Sequence, residues 1–400
     1  MVRVYHFAEV IMSDIQLAAK KIGSKENKAL MILSALGILF VVDEHLGRPI
    51  SFFTQVFPYD SFFMPMFVFI SGYFFRPDHS ESWAKTLRFT WNRCKKSLLP
   101  YFLWVLFYFA FTHILRSFGI LTFGGISLKK LVLYMISNGA PPLYIEPAWF
   151  VPMLFSVGVL YCCIRRIFRK IWNDTAATVL LVLLGAAAVY GARTDFNAPY
   201  HYYLLKAAFF MQFYHLGYFF RTRLENLFDK ANNILLCLAA VSINLLLIAV
   251  YGDHIRFPYC ARMGGFFTGN LFLPLITSVT GITFWLKISK ALTPVLGGSK
   301  LVNFISDNTF FIMIHHLAVK ALFTGLLILG KKLGIASLAS VDAERFKASA
   351  WYIFADSPWI KVLCFLFTLA VTLAACKLFL CIKKPIMNYM KKRLQGAQSL

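Results

Sequence analysis

The sequence predicts an all-α membrane protein, a polytopic transmembrane helical bundle of about ten spans with both termini in the cytoplasm. Three observations predict it. The 400 residues are 59% hydrophobic and 17% aromatic, with 42 Phe. Charged residues make up 15%, well below the roughly 25% of a soluble domain. Apolar runs also recur at the length of about 20 residues that crosses a bilayer.

The spans fall at about 30–47, 61–76, 98–118, 148–164, 175–192, 203–220, 233–251, 265–286, 305–329 and 358–382. Their orientation follows from the Lys and Arg residues. Most of the 41 fall on one side if the N-terminus is inside, notably in "RFTWNRCKK" (88–96), "RRIFRK" (165–170), "RTR" (221–223) and the tail. The opposite side receives the longer connections, rich in Gly, Pro and aromatics, such as "GAPPLYIEPAW". Residues 1–29 hold charges but no continuous apolar core, so they read as a cytoplasmic or interfacial amphipathic segment rather than a cleavable signal. Residues 30–383 form one membrane domain and 384–400 a basic cytoplasmic tail.

The net charge of +23 is spread in short clusters beside the apolar runs. That pattern sets topology and meets anionic lipid headgroups; it excludes a nucleic-acid-binding patch. The eight cysteines show no CxxC and no His/Cys spacing for zinc, so neither a disulfide framework nor a metal site is expected.

Ionisable groups inside spans cost about 2.5–3.5 kcal/mol each to insert, so each is a functional candidate. "LFVVDEHLG" (39–47) ends the first span with Asp43, Glu44 and His45. Two readings stand: a catalytic histidine with orienting acids, or a water-facing membrane boundary. Successive residues turn about 100° apart, so both acids cannot hold His45 while the helix stays regular. Either a partner comes from another helix, or the chain breaks at Gly47 and Pro49.

In the second span, "FFMPMFVFISGYFF" (62–75), Pro65 either kinks the helix around a cavity or is absorbed while Gly72 packs against the first helix. Arg93 and Lys96 lie i, i+3 on one helical face, suited to phosphate contacts or serving only as a topology flank. Trp149 opens the fourth span as a belt anchor. His315 and His316 point about 100° apart in the ninth, with Lys320 four residues after His316; at most one faces a shared cavity, and a helix–helix hydrogen bond explains one of them.

Taken in order, "LFVVDEH", "MPMFVFISGYFF", the basic segment into "LLPYF" (98–102), "AWFVPMLF" (148–155), "YHLGYFF" (214–220) and "NTFFIMIHHL" (308–317) resemble the integral-membrane acyltransferase type 3 family, over residues 28–382. The family includes sugar and polysaccharide O-acetyltransferases. The resemblance implies a multi-pass protein of the bacterial cytoplasmic membrane that uses acetyl-CoA as acyl donor and a glycan as acceptor, with no metal. By position His45 is the catalytic histidine, with Glu44 or Asp43 to orient it. Arg93 and Lys96 match the family's paired arginines of the first inner loop. The family's cation eleven residues before the histidine is here Ser34, three turns or about 16 Å deeper on the same face, and Lys28 is an imperfect substitute. His316, or else His315, matches the family's later histidine. Trp149 and Tyr144 suit stacking on a sugar ring. Composition alone fits a transporter or flippase equally well, and Ser34 keeps open a degenerate scaffold. Oligomeric state and acceptor identity are not encoded in any of these signals.

Overall fold

The computed structural model describes residues 28–50, 52–193, 199–257, 270–354 and 357–398. The interfacial segment expected before residue 29 falls almost wholly outside them. Every regular element among the described residues is helical. The principal helices are α1 (Lys28–His45), α2 (Phe63–Tyr73), α3 (Trp83–Arg93), α4 (Leu99–Ser117), α5 (Leu128–Asn138), α6 (Phe150–Ile167), α7 (Asp174–Arg193), α8 (Pro199–Phe219), α9 (Glu225–Lys230), α10 (Asn233–Tyr251), α11 (Leu273–Leu296), α12 (Lys300–Asp307), α13 (Thr309–Lys332), α14 (Ala343–Ala348) and α15 (Pro358–Gln398).

Six helical runs among the described residues are long and apolar enough to cross a membrane: Trp83–Ser117, Glu146–Ile167, Asp174–Arg193, Asn233–Tyr251, Thr309–Lys332 and Pro358–Lys383. The helices that miss this test are central. α2 packs along α8, α8 along α7, and α11 along α1. α8 carries Lys206, Gln212 and His215, all buried. Inward-turned polar groups lower apolarity where packing is densest, whereas α10, with a nearly unbroken apolar surface, is largely exposed.

Several elements differ from the sequence expectation. The basic stretch 88–96 belongs to a helix, not a loop: Ser82 caps α3 by accepting from the Lys85 amide, and a π turn at Cys94–Leu98 joins α3 to α4. A second π turn, Phe220–Leu224, extends α8. The last helix continues to Gln398, so the tail is not a separate segment in its backbone. Pro65 lies in the first turn of the short α2, where its missing N–H interrupts no ladder, so it is not a mid-helix kink.

Gly72 packs against α8, not the first helix. A Cβ on Gly72 would overlap the Tyr214 carbonyl oxygen, and one on Gly217 would overlap the Phe69 carbonyl oxygen. The two glycines thus let the α2 and α8 backbones touch reciprocally.

Candidate functional site

α1 ends in a Schellman turn, and that turn decides what the triplet Asp43, Glu44 and His45 does. The Arg48 amide donates to the Asp43 carbonyl at 2.9 Å and the Gly47 amide to the Glu44 carbonyl at 3.4 Å. Gly47 takes φ 80°, the left-handed conformation this motif requires. A Cβ there would meet only ordinary contacts from Ile353 and Lys361, so the cost of Gly47→Ala is conformational. Thermal unfolding of Gly47→Ala should show a loss of about 1 kcal/mol, after the gain from a stiffer unfolded chain.

Both acids are committed to this turn. Asp43 Oδ1 accepts from the Ile50 amide at 2.9 Å. Glu44 takes a two-pronged contact from Arg48 (2.8 and 2.6 Å), which also reaches Asp60 at 3.5 Å. Burial and the nearby Glu44 push the Asp60 carboxyl up to about 6. Among the described residues no hydrogen bond or ion pair joins Asp43 or Glu44 to His45, so the orienting contact expected of them is not formed. Consecutive helical residues point apart, and a Schellman turn keeps its last helical turn regular.

His45 finds its partner on α13. Its Nδ1 lies 2.7 Å from His316 Nε2, with the rings stacked at 5.0 Å and 7°. The tautomers follow from the neighbouring acceptor. His316 Nδ1 is 3.0 Å from the Ile312 carbonyl, which can only accept, so Nδ1 carries the proton. Neutral His316 then accepts at Nε2, and His45 donates from Nδ1. His45 Nε2 is left with its lone pair and has no hydrogen-bond partner among the described residues. The arrangement is an imidazole held in one tautomer, with its basic nitrogen free.

His315 turns elsewhere, as adjacent helical residues must. Its Nδ1 is 2.7 Å from the Tyr108 hydroxyl, and its ring packs on Trp104 and Phe311. Tyr144 belongs to this same group: it is buried, edge-on to Phe123 and close to Tyr108. Trp149 lies under Lys206, whose Nζ sits 4.8 Å from the ring centroid. Neither Tyr144 nor Trp149 touches His45.

The aromatic ring beside His45 is Trp351, at 5.2 Å and 74°. Its indole N–H donates to Glu146 Oε2 at 2.8 Å. Lys320, one turn beyond His316, is buried and donates to the Ala350 carbonyl at 2.7 Å. Sequence reasoning missed Trp351 because it lies in a loop that only the tertiary fold returns to His45. Lys320 and Glu146 were visible as intramembrane and boundary charges.

Toward the other end of α1, Arg93 is threaded between α2, α6 and α8. It donates to the Tyr214 hydroxyl at 2.9 Å and Ser71 Oγ at 2.7 Å, and a Cβ on Gly158 would collide with its guanidinium. All its partners are neutral; no carboxylate pairs with it among the described residues. Arg221, on the second π turn, repeats the pattern: it donates to the Phe75 carbonyl at 2.6 Å and lies over Tyr73 and Tyr218. Lys96 is half-buried, and the π turn takes it off the regular-helix alignment with Arg93. Ser34 is half-buried on α1. Lys28 is directed toward Gly297 at the end of α11.

The apolar cleft of about 360 Å³ lined by Phe69, Phe213, Phe220, Phe228 and Leu286 includes none of these residues and offers no chemistry. A family model described as "Acyltransferase domain" matches residues 29–380. No curated protein and no solved structure matches the chain.

Proposed function

The chain belongs to the integral-membrane acyltransferase type 3 family, and from that premise we propose that it moves an acetyl or other short acyl group from acyl-CoA to a hydroxyl of a sugar in a lipid-linked or cell-surface glycan. The observation that carries this reading is the His45–His316 pair, which leaves one imidazole nitrogen basic and unoccupied. The acceptor oxygen attacks the thioester carbonyl carbon while its proton passes to His45 Nε2. The C–S bond then breaks, and CoA leaves as thiolate and takes that proton up.

In this reading the ten spans of the sequence analysis apply, with both termini on the cytoplasmic side of a bacterial membrane. Arg93 then faces the cytoplasm with its charge uncompensated, suited to a CoA phosphate through its fork. Arg221 and Lys96, the latter without an ion-pair partner among the described residues, add cations at the same end. Ser34 is not replaced from within α1 but from α2 and α3. α1 and α2 run antiparallel with Gly37 against Met66 and Phe67. Ser71, five residues on, and the Arg93 bonded to it therefore sit about one turn from the depth of Ser34.

The test uses purified protein with acetyl-labelled acetyl-CoA and mass spectrometry of surface glycan from expressing cells. CoA release with a gain of acetyl on the glycan is expected. Solute flux in proteoliposomes without CoA release supports the transporter instead. Arg93→Gln should raise KM for acetyl-CoA about 10- to 100-fold, the worth of a charged hydrogen bond, with Arg93→Lys between. An unchanged KM removes Arg93 from the donor site.

A further inference from the structure

The acceptor side of the site has no residue assigned to it once Tyr144 is placed in the core and Trp149, half-buried, under Lys206. Trp351 is 38% exposed and sits edge-to-face with His45. An exposed tryptophan near a membrane boundary is ordinarily a belt residue, its N–H left to water or headgroups. Trp351 is built differently. Its indole N–H is given to the Glu146 carboxylate, its amide donates to Ser349 Oγ at 3.1 Å, and the preceding Ala350 carbonyl is held by buried Lys320. One bond holds the indole itself, and the other two hold the backbone that carries it. Its ring contacts, among the described residues, are His45 and the Lys320 ammonium at 6.0 Å.

We propose that Trp351 is the platform on which the acceptor's sugar ring stacks, and that Glu146 sets its orientation so that a ring hydroxyl meets His45. The inference rests on the acyltransferase reading above. Chemistry favours a sugar: its C–H face is apolar and covers an indole, while its rim of hydroxyls needs partners at the edge. Two stand ready, the second oxygen of Glu146 and the free Nε2 of His45. A hydroxyl must come within about 2.6–3.2 Å of the base, so a sugar lying on the exposed part of the indole, with one rim hydroxyl turned to the adjoining His45, is already oriented for transfer.

The experiment compares wild type, Trp351→Ala, Trp351→Phe and Glu146→Gln, each purified and shown monodisperse. Two quantities are read: CoA released from labelled acetyl-CoA by purified protein with water as the only acceptor, and acetyl found on surface glycan of the expressing cells. The expected result is that the ratio of glycan acetylation to CoA release falls at least tenfold in Trp351→Ala, less in Glu146→Gln and least in Trp351→Phe. An unchanged ratio overturns the proposal, whether both quantities fall together or neither does. A wild type that releases CoA without acetylating glycan overturns the sugar acceptor. A wild type that neither releases CoA nor acetylates glycan overturns the acyltransferase reading itself.

Discussion

His45→Ala is expected to lower acyl transfer from acetyl-CoA to glycan by about 10²–10⁴-fold, the usual worth of a positioned general base. The expectation is strict because no second group stands in. His316 is the nearest imidazole, but its Nδ1 proton is given to the Ile312 carbonyl and its Nε2 faces His45. His315 is turned to Tyr108. The companion variants test the tautomer argument. His316→Gln keeps an oxygen that can accept from His45 Nδ1, whereas His316→Phe keeps the volume and removes the acceptor. Transfer should fall further in Phe than in Gln, with KM for acetyl-CoA little changed in either. Equal glycan acetylation in wild type and His45→Ala sinks the catalytic assignment.

Gly72→Ala is expected to be the most destabilising small substitution. The added methyl would overlap the Tyr214 carbonyl oxygen, a backbone atom that no rotamer change can move. Relief requires α2 and α8 to separate along their contact, which also disturbs the Arg93 bonds to Ser71 and Tyr214. The loss should reach about 3 kcal/mol or more, the upper end for overpacking. Gly325→Ala is the control: nothing lies within 4 Å of its Cβ position, and alanine favours a helix. Thermal unfolding in detergent should rank Gly325→Ala at or above wild type and Gly72→Ala far below. Gly217→Ala should resemble Gly72→Ala, and the double variant should cost less than the sum, because one crossing is broken once.

Much of the architecture was legible because hydropathy and charge act on whole segments. α10 was read at its observed bounds, Asn233–Tyr251, from an almost wholly apolar run. The short α2 and the polar α8 were readable as apolar segments, but their burial was not, since it depends on Gly72 and Gly217 meeting a partner backbone. Local rules gave the fork at Gly47, and the structure took the helix-end branch while also supplying a partner from α13. The opposed directions of His315 and His316 followed from helix geometry alone. What escaped was tertiary. Nothing in "SAWY" (349–352) signals a return to His45 from another segment. The π turns that place Arg93 and Arg221 have no simple sequence signature.

The concentration of polar groups in the central helices has a consequence for biogenesis. A helix entering the bilayer alone must carry its charges there, at about 2.5–3.5 kcal/mol each near the centre. α10 meets no such penalty. α8 does, because Lys206 reaches its cover over Trp149 only after α6 is present, and His215 bonds Tyr161 of α6 and Thr178 of α7. Those two helices precede α8 in the chain and pass the apolarity test by themselves. Synthesis therefore delivers the hosts before the guest, so the segment least able to insert on its own arrives where its partners already wait.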